Sequence, residues 1–385
     1  MRHAPLFATL GLLAALAGCD KDTVVEPPAE LVDLKATLQV HRLWSEGMGG
    51  GGEVLRLTLG VAGAGDLVYA AGRDGKVRAL DAATGKQRWQ VDTDLELSAG
   101  PGVGYGMVVV GTSDGDVVAL DAATGKPRWK ARVPGEILAP PLVNPEHVIV
   151  RSVEGRLRAL SASTGKEEWV VEDTVPRLSL RGTATPVAAS GEAVVCGFDT
   201  GKVMAVGIAR GEILWQTQLT TPHGRTELER LSDVDSAVQV SGKDVYAVGF
   251  QGRVAMIALD TGQLWWSRDV SSYRGLAIDD DQVYVSTSDG DVVALRRRDG
   301  TIVWQQKGLA RRGLSAPAVD GNAVVVGDFE GYLHWLDRGT GRFVAREHPG
   351  GTRIAAPPLV TGGRVFVIDE GGHLEAFHTG GAAGS

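Results

Sequence analysis

The phrase VRALDAATGKQRW, Val77 to Trp89, returns forty residues later as VVALDAATGKPRW, Val117 to Trp129, so the fold must be built by stacking copies of one small unit. Aligned on the first strand of each copy, eight copies start at Val68, Val108, Val148, Val194, Val245, Val283, Val324 and Val365, at spacings of 40, 40, 46, 51, 38, 41 and 41 residues. A glycine stands seven positions into every copy, from Gly75 to Gly372, and a second stands seventeen positions into the first seven, from Gly85 to Gly341.

Within a copy the pattern is a meander. A β-rich run such as MVVVG turns at SDG, returns as DVVAL, turns again at DAATG and leaves as KPRWK. A fourth strand comes from the connection before each copy, as in EILAPPLV and LSAPAV. Four strands every forty or so residues predict an all-β, eight-bladed propeller of four-stranded antiparallel blades. Trp89, Trp129, Trp169, Trp215, Trp266 and Trp304 recur on the outer strands, and burying an indole at each step would dock one blade on the next. The seventh copy has Ala345 there instead, and the eighth ends before its outer strand. Residues 40 to 46, VHRLWSE, place Trp44 at the right distance before the first copy, so they are expected to complete blade eight and close the ring without open edges.

The chain therefore divides into a propeller over 40–380, a tail over 381–385, and two segments before the ring. Arg2 and His3 followed by the apolar run Leu6 to Leu16 and LAGC read as an export signal over 1–18, too short to span a bilayer. Residues 19–39, with charges, a proline pair and no period, read as a tether.

Several patterns that suggest chemistry fail on context. ATGK is not a phosphate loop, because Gln87 or Pro127 stands where Ser or Thr must follow the lysine, and Leu80 and Leu120 replace the first glycine. GTSDG, Gly111 to Gly115, lies between strands rather than at a strand-to-helix turn, which removes Ser113 as a nucleophile. GMGGGG, Gly47 to Gly52, opens no helix. The eight histidines have no ligand spacing, and Cys196 has no partner for a disulfide or zinc site and reads as a small buried side chain. A net charge of −8, with no basic run beyond Arg296–Arg298, argues against nucleic acid. No catalytic, metal or cofactor site is expected. Asp233 and Asp235 in RLSDVDS share one face if extended; with Arg225 and Arg230 nearby they suit ion pairing or a binding surface better than catalysis.

The phrase ALDAATGKxRW resembles the repeats of quinoprotein dehydrogenases, which would imply pyrroloquinoline quinone and calcium. Those enzymes are longer, and many carry adjacent cysteines that a mature chain with Cys19 and Cys196 lacks. LAGC resembles a lipobox, in which Cys19 would carry the lipid. Together with the tether, the eight repeats and the stretches PRLSLRG, TELERLSDVD and GDFEGYLHW, it resembles the BamB family, lipoprotein subunits of the β-barrel assembly machinery. The resemblance covers essentially the whole chain. It implies a scaffold without catalysis, held by its lipid on the periplasmic face of the outer membrane. Its partners would be the POTRA domains of BamA with the rest of the assembly machinery, and unfolded outer membrane protein clients. One feature departs: Asp20 after the lipobox cysteine resembles an inner-membrane retention signal of enteric bacteria.

Spacing points to the same region. Most outer-strand tryptophans precede the next copy by 16 to 19 residues, but 24 lie between Trp169 and Val194 and 29 between Trp215 and Val245. Both extensions connect an outer strand to the next inner one, so both belong on one face of a ring, where insertions on a rigid scaffold usually bind. By the resemblance, Leu178, Leu180 and Arg181 in the first and Asp233 and Asp235 in the second would contact the partner.

Overall fold

The computed structural model describes residues 26–49, 59–180 and 184–380. It forms eight four-stranded antiparallel sheets, one per repeat, arranged as an eight-bladed propeller. In blade 1 the strands run from the channel outward as Val61–Ala64, Leu67–Ala71, Lys76–Asp81 and Gln87–Asp92. Apolar residues on both faces of the middle strands fill the spaces between blades, so successive core clusters each take side chains from two neighbouring sheets.

The repeated phrase is a joint between blades. Asp81 Oδ1 accepts the backbone N–H groups of Ala83 and Thr84, and Arg88 pairs with Asp81 Oδ2 at 2.6 Å. Hydrogen bonds from Arg88 and Thr84 hold the Asp81 carboxyl down at about 2. The same contacts recur around Asp121. Gly85 closes the turn at φ 72°, and a Cβ there would come within 2.8 Å of the Trp44 ring. Glycine is needed twice over, for the left-handed backbone and for the indole of the preceding blade lying against it.

Seven buried indoles make this joint, and each donates its Nε1–H to a carbonyl of the next blade at 2.6–3.2 Å, from Trp44 to Ala82 through Trp304 to Arg338. Val40–Gly47 completes blade 8 beside His373–Thr379, and Trp44 stands opposite Ala376 as Trp89 stands opposite Ala79. The expected closure is present. The odd joint, from blade 7 to blade 8, uses the same cross-strand pair with its residues exchanged. Trp335 on the third strand faces Ala345 on the outer strand, and Trp335 packs edge-on to Phe377 of blade 8.

Residues 26–39, expected as part of a tether, lie against the ring. Ala29 N–H bonds to Ala310 O, Arg312 Nη1 to Ala29 O and Arg346 Nη1 to Val32 O, while Thr37 and Leu38 donate to Val344 O. The segment descends along the outer edge of blade 7 before turning up into Val40–Gly47. Among the described residues no helix is long and apolar enough to cross a membrane.

Candidate functional site

Measured between strands, the two extended connections span 173–186 and 219–238, against four to thirteen residues at the other blade junctions; the longest of those others, 48–60, begins at the Met of the GMGGGG run. Each leaves an outer strand and enters an inner one, so both lie on the face that carries the turns between second and third strands. The two are joined directly: Leu180 N–H donates to Asp233 Oδ2.

Asp233 and Asp235 flank Val234, whose buried side chain packs into the blade 4–5 core and whose N–H bonds to Phe198 O at 3.1 Å. A Cβ at Gly197 would come within 2.3 Å of Val234 O, so the segment is laid closely on blade 4. With Val234 turned inward, the two aspartates reach the other way, where they meet Asp199 from the turn of blade 4. One carboxylate oxygen from each of the three lies within 4.8 Å of the others. All three are buried. Arg151, fully buried on the second strand of blade 3, supplies positive charge: its Nη2 is 3.2 Å from Asp199 Oδ1, and its guanidinium lies 4.7 Å from the Phe198 ring centroid.

The three carboxylates sit in a buried site, and burial governs their protonation. Burial pushes the Asp233 carboxyl up to about 6; the Leu180 N–H opposes this and the neighbouring Asp199 adds to it. Burial also raises Asp199 against the pull of Arg151. Asp199 Oδ2 and Asp233 Oδ1 have no hydrogen-bond partner among the described residues.

Of the residues singled out from sequence, Leu178 is exposed at 42%, Leu180 is half-buried, and Asp233 and Asp235 are buried within the cluster. Arg181 and Cys19 lie outside the described residues. Arg151 and Asp199 were not anticipated. Arg151 had a signal: three positions after the first valine, the other seven copies carry Ala71, Gly111, Gly197, Val248, Ser286, Gly327 and Ile368, so a charge there breaks the register of a buried strand. Cys196 is buried, and burial raises its thiol to about 11.

The stretch GDFEGYLHW has a different part. Asp328 accepts Arg312 Nε at 2.7 Å and lies 2.9 Å from His334 Nε2, and Arg312 and Arg346 reach on to the carbonyls of Ala29 and Val32. This cluster fastens the N-terminal segment.

A family model described as outer membrane protein assembly factor BamB matches residues 41–94, 73–306 and 289–382. The Pseudomonas aeruginosa protein of that name is 50% identical over 377 residues, covering 98% of each chain. The crystal structure of BamB from Moraxella catarrhalis superposes with a TM-score of 0.80 at 28% identity, over 88% of this chain and 100% of that one. The quinohemoprotein alcohol dehydrogenase from Comamonas testosteroni, at 14% identity and TM-score 0.69 over 90% of this chain and 77% of its own, shares the fold alone. The chain belongs to the BamB family of outer membrane protein assembly factors.

Proposed function

We propose that the protein is a scaffold lipoprotein of the β-barrel assembly machinery, without catalysis of its own, whose two extended connections dock on the POTRA domains of BamA. The carrying observation is the Leu180–Asp233 bond, which makes one surface of two segments 53 residues apart in sequence. That surface exposes Leu178 two residues from the buried Leu180–Asp233 joint. Apolar side chains around a desolvated polar centre are the composition of an interface hot spot. Lipid on Cys19 would hold the ring at the outer membrane, with the chain joining the ring at residues 26–29 on the same face as the connections. The short path from anchor to docking surface fits a membrane-embedded partner.

The test is calorimetry with purified POTRA domains. Leu180→Ala and Arg181→Ala should each bind at least about tenfold more weakly, a loss of about 1.4 kcal/mol, while keeping a near-wild-type melting curve. Unchanged affinity with a large fall in melting temperature would assign Leu180 to the core, where truncation costs about 2–5 kcal/mol. For the anchor, Cys19→Ala should release the exported chain from membranes that lack BamA; retention there would rule the lipid out.

A further inference from the structure

The two positions before the joint tryptophan divide the ring in half. In blades 1, 2 and 3 they are Gln87-Arg88, Pro127-Arg128 and Glu167-Glu168. In blades 4, 5 and 6 they are Ile213-Leu214, Leu264-Trp265 and Ile302-Val303. All twelve are exposed, and the six apolar ones keep 40–57% of their surface in solvent. They sit on outer strands with a single hydrogen-bonded neighbour, so each presents an open row of backbone groups beside two apolar side chains. Charged residues and proline protect the edges of blades 1–3 in the way sheet proteins ordinarily do; blades 4–6 lack that protection.

Blade 7 shows what such an edge accepts. Its corresponding pair is Phe343-Val344, and there the chain's own N-terminal segment lies on the edge: Thr37 and Leu38 N–H groups donate to Val344 O, Leu31 and Phe343 pack against the blade 6–7 core, and Leu38 and Val344 pack against the blade 7–8 core. Both side chains are half-buried as a result. A stretch with spaced leucines, bonded to the edge through main-chain N–H groups, covers this apolar edge.

We propose that the outer edges of blades 4–6, with the Leu264-Trp265 edge of blade 5 at their centre, dock an extended, apolar β-strand segment of another polypeptide by strand addition. Main-chain hydrogen bonds would supply affinity for any unpaired strand, and the apolar pair would select alternating apolar side chains. Trp265, the most exposed of the six, would be the anchor. A cleft of about 720 Å³ between blades 5 and 6, lined in part by Met256, Val303 and Arg298, adjoins the blade 6 edge and leaves room for side chains of the added strand. These positions follow the turn between third and outer strands, so they lie at the end of the ring away from the extended connections. Occupancy of one surface leaves the other open.

The test uses the full exported chain and the decapeptide Lys-Thr-Val-Thr-Phe-Thr-Val-Thr-Val-Lys as probe, read by hydrogen exchange and by titration. The assay contains no BamA, so it is independent of the reading of the connections. Binding should slow exchange in Ile213–Gln218, Leu264–Arg268 and Ile302–Gln306 and leave Gln87–Asp92, Pro127–Arg132 and Glu167–Glu172 unchanged. The double variant Leu264→Lys, Trp265→Lys should bind about tenfold more weakly with its melting curve intact, since both side chains are exposed. The same peptide with alternate amides N-methylated should not bind. Protection spread evenly over all blades, equal affinity for the double variant, equal binding of the methylated peptide, or no binding at all would each overturn the proposal.

Discussion

Two buried carboxylate clusters lie on one face of the ring, and they are built to opposite ends. In blade 7, Asp328 has a guanidinium, an imidazole and the backbone N–H groups of Glu330 and Tyr332 around it. Burial alone would raise its carboxyl, but His334 and Arg312 outweigh that and hold it below the usual range. At blade 4, Asp199 pairs with Arg151 beside Asp233 and Asp235, and burial raises the Asp233 carboxyl to about 6. A cluster that satisfies itself fastens the protein to itself. The blade 4 cluster leaves Asp199 Oδ2 and Asp233 Oδ1 without a hydrogen-bond partner among the described residues.

The largest effect should come from opening the self-satisfied cluster. Arg312→Leu leaves Asp328 without its guanidinium and removes the bond to Ala29 O, so denaturation should show a loss of about 3–5 kcal/mol, and hydrogen exchange should quicken across 26–38. Loss of stability without faster exchange in that segment would separate the cluster from its fastening role.

The next contrast is the sign of the pH dependence. Asp233 has a folded value raised above its unfolded one, so its contribution is fully present below about pH 4 and is lost as pH rises through about 6, on the order of 2–3 kcal/mol. The stability difference between Asp233→Asn and wild type should therefore shift in favour of the variant between pH 4 and pH 7.5. Asp328 is lowered, so its contribution is present above the ordinary carboxylate range and is lost as pH falls through its depressed value. Asp328→Asn should lose ground to wild type as pH rises from 3 toward 5. Parallel slopes in the two denaturation series would dissolve the comparison.

The smallest stability effect belongs to the exposed side chain beside the unsatisfied cluster. Leu178→Ser should change unfolding free energy by less than about 0.5 kcal/mol while weakening POTRA binding measurably.

Repetition made the ring legible from sequence, including its closure, because the eighth copy ends before its outer strand and a strand-like run with Trp44 stands before the first copy. The blade 7–8 joint was not legible: counting along one strand sees Ala345 as a loss, whereas the pair across the sheet has only exchanged partners with Trp335. The docked segment at 26–38 left no pattern, since its bonds to the ring include many to or from main-chain atoms, which sequence does not encode. At the candidate site the loop lengths singled out the two connections that the Leu180–Asp233 bond joins. Asp199 and Arg151 come from other parts of blades 3 and 4, and only the fold brings them together. Arg151 broke the repeat register and was readable in principle; its pairing with Asp199 across two blades was not.

The most direct measurement places a photo-activated benzoylphenylalanine at position 178 in living cells and, separately, at position 303 on the opposite rim. We expect the probe at Leu178 to cross-link to BamA and the probe at Val303 not to. BamA captured from position 303 and absent from position 178 would contradict the assignment of the partner surface to the joined connections.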